Sequence, residues 1–457
     1  MKADIVWIHA YVLPMTGKYG DLTADGAVAV KGEYIVKTGP TDEVMREVQA
    51  EEVVDASGML LMPGLIDAHI HTSCAIARGT AQDMDHWMQK GLWPWMQHMT
   101  LEDARAGSEL NIIEGVKAGT TTFGDYNADM DQLLSRYASI GVRVAAAEMV
   151  NEIPKNIGDL PVEDMYPFDS SIGEKKLQAN IKLYEKWHGA EDGRISVMFG
   201  PQGPDMLSLD LLRQTKREAE RFNTKIHMHV CQGDREIFQL EKRYGKRSIP
   251  FLEEENFLNE RLVAVHLTEA TQQETKKTAE SGAAMINCSG SIGIIDGIVP
   301  PLEMFTQCGG RAALGSDQVP GNNSSNMFNE MKFAAILNKV KAKDPKVFPA
   351  IKALRMATID AAAVLGLDQK IGSLEAGKKA DMLVIDTRKP ALTPVLMHPV
   401  ENIIANLVYA ARGEEVRDVL VDGKYIMKNR ELLNVREENT VQEVQQRAEK
   451  LAERIRT

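Results

Sequence analysis

The chain has 457 residues, of which 44% are hydrophobic and 26% are charged, so an ordinary packed core in one large domain beside a smaller one is expected. Its 53 Lys and Arg residues are outnumbered by 65 Asp and Glu residues, which gives a net charge of −12. This balance argues against a nucleic-acid partner, because phosphate binding requires clustered basic side chains.

The N-terminal segment has no long apolar run followed by small residues, and no apolar stretch in the chain is long enough to cross a bilayer. The cysteines show no CxxC spacing and no dense pattern, which is typical of reduced thiols in a cytosol. We therefore expect a cytoplasmic protein without a membrane partner.

The first 62 residues have the pattern of β-structure, in which short apolar runs such as 26–30 are separated by glycine and charged turn residues. From residue 63 onward, short apolar strands alternate with amphipathic helices. Thr100, for example, begins a helix in which Asp103 completes a capping box, and a β-branched strand starts after Gly119.

This alternation continues to about residue 370 and predicts an α/β fold, a (β/α)8 TIM-type barrel. The eight predicted strands cover residues 65–71, 120–125, 142–148, 195–200, 225–230, 262–266, 283–287 and 312–317.

The chain beyond residue 370 returns to β-structure, with predicted strands at 371–374, 381–386, 416–421 and 424–427. Neither chain end is long enough to form a stable sheet alone. We therefore predict a small composite β-sandwich domain from residues 1–62 and 371–435, a barrel from 63–370, and a C-terminal surface helix over 436–457.

Metal-ligating residue types occur at the ends of several predicted barrel strands. His69 and His71 are separated by one residue, so their side chains point the same way from a strand end. His229 lies nearest the end of its strand and is favoured as a ligand, whereas His227 lies one layer deeper, where a hydrogen-bonded core histidine is expected. The alternative for His69 and His71 is that two surface histidines occur at this spacing by chance.

His266 and Asp317 follow two further apolar strands. A lone histidine after a strand is more often structural, and an aspartate there is often a helix cap. Because the carboxyl ends of all barrel strands meet at one face, these residues together nevertheless indicate a metal site of histidines and one carboxylate. Such a metal activates a water molecule, and Asp317 is then the general base that accepts its proton.

Several motifs resemble the amidohydrolase superfamily, and the branch is similar to the methylthioadenosine/S-adenosylhomocysteine deaminases and the triazine hydrolases. The resemblance covers nearly the whole chain. The segments that carry it are 63–71 (PGLIDAHIH), 119–125 (GTTTFGD), 315–317 (GSD) and 371–386 (IGSLEAGKKADMLVID).

The resemblance implies a barrel with a composite β-sandwich, one divalent metal ion, and hydrolysis of a C–N or C–Cl bond on a nitrogen-rich ring. Zn is favoured over Fe, and both accept imidazole ligands. Strand 195–200 offers neither lysine nor glutamate to bridge a second metal. Carried over by position, the metal ligands are His69, His71, His229 and Asp317, and His266 orients the attacking hydroxide.

Three positions depart from the pattern of the deaminase branch. Gln232 replaces the usual glutamate that shuttles a proton to the ring, and Gln202 and Asn287 stand where histidines are often found. A neutral amide forms hydrogen bonds but transfers no proton. One interpretation is drift in a loop. The other is a different small heterocyclic substrate, whose ring presents an amide-like face to these three side chains.

The segment 72–99 follows the first two ligands and contains Trp87 and Trp93, which we predict to be substrate-binding residues because aromatic walls suit flat heterocycles. Packing of this segment on the barrel or on a second subunit is an equal alternative, and a homo-oligomer is compatible with it. The leading hypothesis is a metal-dependent aminohydrolase. The alternatives are a hydrolase that releases no ammonia, through dechlorination or cyclic amide opening, and a scaffold barrel without catalysis.

Overall fold

The computed structural model describes residues 1–154, 157, 160–161 and 164–456. The chain begins with five strands and one short helix, α1 (Thr41–Glu47). The strands are β1 (Lys2–Val12), β2 (Thr23–Lys31), β3 (Tyr34–Pro40), β4 (Gln49–Asp55) and β5 (Met59–Pro63).

Eight parallel strands then form a barrel in which each strand pairs with the next one along the chain. They are β6 (Leu65–Ile70), β7 (Thr120–Asn127), β8 (Arg143–Val150), β9 (Ile195–Pro201), β10 (Ile226–Val230), β11 (Leu262–His266), β12 (Ala284–Asn287) and β13 (Ala312–Leu314). A parallel bridge between Ile70 and Asp317 brings the last strand against the first. The predicted (β/α)8 barrel is therefore confirmed.

Helices connect the barrel strands and cover their outer face. They are α2 (Trp93–His98), α3 (Leu101–Lys117), α4 (Met130–Ile140), α5 (Ser170–Trp187), α6 (Ala190–Gly193), α7 (Leu209–Arg221), α8 (Asp234–Tyr244), α9 (Ser248–Glu254), α10 (Gln272–Glu280), α11 (Ser289–Ile295), α12 (Leu302–Gln307), α13 (Val319–Asn322), α14 (Met327–Ala342), α15 (Ala350–Met356) and α16 (Ile359–Leu365). The capping box that begins α3 is present, because Thr100 and Asp103 each accept a hydrogen bond from the other's backbone N–H.

The segment between β6 and α3 contains a 3₁₀ helix (Thr72–Ala77) and a π-helical turn (Met88–Leu92) before α2. It covers the carboxyl end of β6, and Trp87 and Met88 within it belong to the main hydrophobic core. The predicted Trp-rich segment is thus packed on the barrel of its own chain.

The last strands join the first ones in one mixed sheet of nine strands. They are β14 (Met382–Asp386), β15 (Val416–Val421), β16 (Lys424–Lys428) and β17 (Glu431–Leu432), and α17 (Ile403–Tyr409) lies between β14 and β15. β14 pairs antiparallel with β5, so that the two chain ends form one structure as predicted.

The strand predicted at 371–374 is wrong. The backbone N–H of Ile371 donates to the carbonyl of Leu367, and Gly372 follows with a left-handed φ of 91°. The chain therefore turns here and does not continue in an extended direction. Its apolar side chains Ile371 and Leu374 are buried nonetheless, which explains why their pattern resembled a strand.

The barrel and the mixed sheet are joined by a buried ion pair. Arg143 at the start of β8 donates through Nε to Oδ2 of Asp381 at 2.7 Å and through Nη2 to Oδ1 of Asp422 at 2.5 Å. The C-terminal helix α18 (Glu437–Arg456) packs on α3 through Val444 and Leu451. Among the helices of the described residues, none has the length and apolar character that crossing a membrane requires.

Candidate metal centre

The two histidines of the HxH motif lie at the end of β6 and face the same space. Nδ1 of His71 lies 2.6 Å from the carbonyl oxygen of Tyr126. Because a carbonyl only accepts, this nitrogen carries the proton and Nε2 keeps its lone pair. Nδ1 of His69 shares a hydrogen bond of 2.8 Å with Nε2 of His227, which lies deeper in the barrel. His69 thereby presents its own Nε2 to the same space.

His229 at the end of β10 has the same tautomer as His71. Its Nδ1 lies 2.6 Å from the carbonyl oxygen of Gln202, so Nδ1 is the donor and Nε2 carries a lone pair. The Nε2 atoms of His229 and His71 are 3.3 Å apart, and in the neutral rings neither has a proton to share. Two facing lone pairs repel each other in a buried site unless a cation lies between them.

Asp317 follows β13 and completes the cluster. Its Oδ1 lies 3.4 Å from Nε2 of His71 and 3.6 Å from Nε2 of His69. The backbone N–H of Asp317 donates to the carbonyl of His69 at 2.9 Å, which holds the two strand ends together. Gly315 permits this approach, because a Cβ there would lie only 2.7 Å from the same carbonyl.

The strand predicted over 312–317 ends at Leu314, three residues before Asp317. Asp317 has a left-handed φ of 64°, which turns its side chain from the strand direction toward the histidines. A positive φ at a buried carboxylate is a strained conformation of the kind found at functional sites.

His266 at the end of β11 lies over His229, with ring centroids 5.4 Å apart and an interplanar angle of 13°. Burial lowers the pKa of His266 to about 4, so its ring is neutral at physiological pH. Neither ring nitrogen has a hydrogen-bond partner in the described part of the chain. The ring therefore has both a donor and an acceptor available for a bound molecule.

This donor set fits a divalent metal ion. Nε2 of His69 and Oδ1 of Asp317 are buried without a hydrogen-bond partner in the described residues. Leaving such atoms unpaired is costly, and a metal bound to them removes that cost. Two triplets that share His69 have ligand atoms within 4.8 Å of one another: His69, His229 and His266, and His69, His71 and Asp317. The five residues thus form one cluster.

A cavity of about 330 Å³ opens onto His71, His229 and Asp317. Four of the predicted substrate-binding residues line it: Trp87, Trp93, Gln202 and Gln232. Asn287 does not line this cavity. Its side chain is buried in the barrel, where Oδ1 accepts a hydrogen bond of 2.5 Å from the hydroxyl of Ser289.

Three further polar residues at this site have no recognisable signal in the sequence. Ser291 on α11 donates a hydrogen bond to Oδ2 of Asp317, and Asn151 and Lys176 belong to the cavity wall beside Gln202. Ser291 occurs in a small-residue run without helical periodicity, and Asn151 and Lys176 lie in a loop and on a helix far from the motifs. Their positions depend on how distant elements pack.

An eight-stranded barrel with imidazoles and a carboxylate clustered at the carboxyl ends of its strands is the arrangement of metal-dependent hydrolases. Residues 60–426 match the model of the amidohydrolase family. The chain belongs to the amidohydrolase family, and the resemblance found in its motifs is confirmed.

Relatives of this chain include two deaminases. The chain is 34% identical over 455 residues to the 5'-deoxyadenosine deaminase of Methanosarcina acetivorans, with 99% of each chain covered. It is 34% identical over 450 residues to the 5-methylthioadenosine/S-adenosylhomocysteine deaminase of Desulforudis audaxviator, which covers 98% of this chain and 99% of the relative.

Solved structures agree with this assignment. An adenosine deaminase from Xanthomonas campestris with bound zinc superposes with a TM-score of 0.89 at 27% identity, covering 100% of this chain and 99% of that one. The zinc complex of an atrazine chlorohydrolase from Arthrobacter aurescens gives a TM-score of 0.85 at 19% identity, covering 97% and 100%. At this low identity, the similarity to the atrazine chlorohydrolase is one of fold alone.

Proposed function

We propose that this protein is a metal-dependent aminohydrolase that removes an amino group from a small nitrogen-rich heterocycle. The observation that supports this most directly is the convergence of His69, His71, His229 and Asp317, of which His71, His229 and Asp317 line a cavity, while Nε2 of His69 and Oδ1 of Asp317 are buried without a hydrogen-bond partner in the described residues. The same cavity has the indole rings of Trp87 and Trp93 in its wall, which suits a flat ring.

We propose one divalent ion, Zn in preference to Fe, held by His69, His71, His229 and Asp317. Imidazole and carboxylate ligands suit zinc, and two structural neighbours contain it. When bound, such an ion lowers the pKa of a water molecule enough for it to attack at neutral pH.

The catalytic roles fall to Asp317 and His266. Asp317 accepts the proton of the attacking water, since its carboxylate oxygen Oδ1 lies 3.6 Å from Nε2 of His69 and 3.4 Å from Nε2 of His71, beside the place of the metal ion. The neutral ring of His266 donates a hydrogen bond to the oxygen that adds to the substrate carbon, and so orients the attack. The amino group leaves as ammonia after it has received the proton from Asp317.

We infer the chemical class of the substrate from Gln232. The relatives are named for deamination of adenosine derivatives, and Gln232 has no acidic proton for a ring nitrogen. We therefore propose an amino-substituted ring that needs no such proton donor. The neutral amide of Gln232 also favours a second candidate function, which is hydrolysis without ammonia release. In that reaction a halide leaves the ring, or a cyclic amide is opened.

Ammonia release from a panel of amino-substituted purines, pterins, triazines and cyclic guanidines tests the proposal. Metal-replete protein should release ammonia from at least one compound, and a chelator should abolish the release. Absence of ammonia across the panel, with the metal site shown to be filled, would move the assignment to the second candidate function.

We also propose a cytoplasmic location, no nucleic-acid partner and association into a homo-oligomer. The net charge of −12 supports the proposal that the protein has no nucleic-acid partner. Light scattering of the purified protein tests association into a homo-oligomer, and a monomer mass at micromolar concentration would contradict it.

A further inference from the structure

The orientation of the Asn151 side-chain amide is determined by its neighbours. Its Oδ1 accepts a hydrogen bond of 3.0 Å from the backbone N–H of Ile153 and one of 2.7 Å from Nζ of Lys176. Both of these groups only donate, so the atom that they contact is the oxygen. The other amide atom of Asn151 is therefore the NH₂ group.

This NH₂ group in turn determines the orientation of Gln202. Nδ2 of Asn151 lies 2.5 Å from Oε1 of Gln202, and an NH₂ group only donates. The atom of Gln202 that it contacts must be the oxygen, so Nε2 of Gln202 points away from Asn151. Within the described residues, Nε2 has no hydrogen-bond partner, and Gln202 lines the cavity beside His229.

We infer that Gln202 is a specificity-determining residue that donates a hydrogen bond to an acceptor on the substrate ring, and that this acceptor is a carbonyl oxygen, which projects beyond the ring and offers two lone pairs where a ring nitrogen offers one. The inference deepens the proposed function and rests on it. The chain Lys176 to Asn151 to Gln202 ends in N–H groups on the cavity wall, and the lysine charge at its far end strengthens each donor along the chain.

Gln232 provides an internal contrast. Its backbone N–H donates to Oε2 of Glu236 at 2.9 Å, and its side-chain amide has no hydrogen bond to the described residues. Gln232 can therefore rotate its amide to present either the oxygen or the NH₂ group. Gln202 lacks this freedom, and a ring that offers only N–H groups to Gln202 would leave the NH₂ group unpaired.

Matched substrates that differ by one ring carbonyl test the inference. The pairs are cytosine with 4-aminopyrimidine, and isoguanine with adenine. Zinc-loaded wild-type protein should favour the carbonyl-bearing member of at least one pair by about tenfold or more in kcat/KM, because a site that donates a hydrogen bond to an exocyclic oxygen discriminates against a ring that lacks this oxygen.

Two variants separate the side-chain amide from its surroundings. Gln202→Met retains the length of the side chain but has no donor, and the ratio of kcat/KM within the pair should fall toward one. Gln202→Glu accepts and does not donate, and the preference should reverse. The backbone carbonyl that holds His229 is present in both variants, so their zinc content should equal that of the wild type.

Equilibrium binding distinguishes failure of this inference from failure of the proposed function. If no ammonia is released from any pair, the aminohydrolase proposal fails, but calorimetry on the zinc-loaded protein still compares the two members. Tighter binding of the carbonyl-bearing ring, lost in Gln202→Met, supports the inference in that case. Equal behaviour of both members in turnover and in binding, or the same ratio in wild type and Gln202→Met, overturns it.

Discussion

The hydroxyl of Ser291 donates a hydrogen bond of 2.6 Å to Oδ2 of Asp317, and both side chains are buried. The other carboxylate oxygen, Oδ1, has no such partner and faces Nε2 of His69 and His71. Ser291 therefore positions the carboxylate, with one oxygen held by the hydroxyl and the other turned toward the imidazoles. Hydrogen-bonded partners of metal ligands affect both metal affinity and activity.

Ser291→Ala should lower zinc affinity or kcat by about 10- to 100-fold, because Asp317 loses the hydrogen bond that orients it. Zinc affinity is measured by competition with a chromophoric chelator, and kcat by ammonia release. Ser289→Ala is the matched control, since the Ser289 hydroxyl contacts Asn287 and not Asp317. Equal effects of the two variants would contradict a positioning role for Ser291.

Asp317→Asn should reduce kcat by about 10²- to 10⁴-fold at saturating zinc, because an amide does not accept the proton of the attacking water. Three imidazoles remain to hold the metal, so elemental analysis should still find zinc in the variant. Turnover near the wild-type rate in zinc-loaded Asp317→Asn would show that another group is the base.

Gln232→Glu should increase ammonia release from 5'-deoxyadenosine by about 10²-fold, because a carboxyl group at this place can deliver a proton to a ring nitrogen. Gln232 lines both the cavity above the metal ligands and a neighbouring cavity of about 540 Å³, so the new group would face bound substrate. Gln232→Met is the control, which has similar size but no proton to transfer. A gain in both variants would indicate relief of crowding and not proton transfer.

Arg143→Met should lower the free energy of unfolding by about 3–5 kcal/mol, because the buried carboxylate of Asp381 would lose its cation and Asp422 would keep only the more distant Arg194 and Lys379. Denaturant titration followed by circular dichroism measures the change. Arg213→Met removes a surface pair with Glu255 and should lower the free energy of unfolding far less, because solvent screens this pair. Similar losses of unfolding free energy in both variants would mean that the buried ion pair does not stabilise the interface between the barrel and the mixed sheet.

Glu148 should make the fold less stable as the pH rises. Burial raises the pKa of this carboxyl group to about 7, although the backbone N–H groups of Met130 and Asp129 donate to it. The folded state therefore holds the proton more tightly than the unfolded chain, whose glutamate pKa is about 4.3. The free energy of unfolding then falls between about pH 4.3 and pH 7, by up to about 1.4 kcal/mol per pH unit.

Comparison of urea midpoints at about pH 5 and about pH 7 measures this effect. Glu148→Gln should show a smaller decrease than the wild type over this interval. The surface variant Glu253→Gln should retain the wild-type decrease. An unchanged pH dependence in Glu148→Gln would show that the carboxyl group titrates normally.

The sequence alone predicts the barrel, because strand and helix periodicity are local and short apolar strands separated by capped helices have few ways to pack. It also determined the candidate ligands. His69 and His71 point the same way from one strand, and His229, His266 and Asp317 follow apolar strands whose carboxyl ends a barrel brings to one face. The error at 371–374 came from buried apolar residues in a turn, where local pattern does not distinguish a strand.

Which polar groups meet depends on the packing of distant elements. Ser291 reaches Asp317 from a neighbouring helix, and Asn287 proved to lie outside the cavity. The donor orientation of Gln202 depends on Asn151 and Lys176, which are 51 and 26 positions away in the chain. Hydrogen bonds act over about 3 Å, so packing between elements, and not spacing along the sequence, determines which groups are partners.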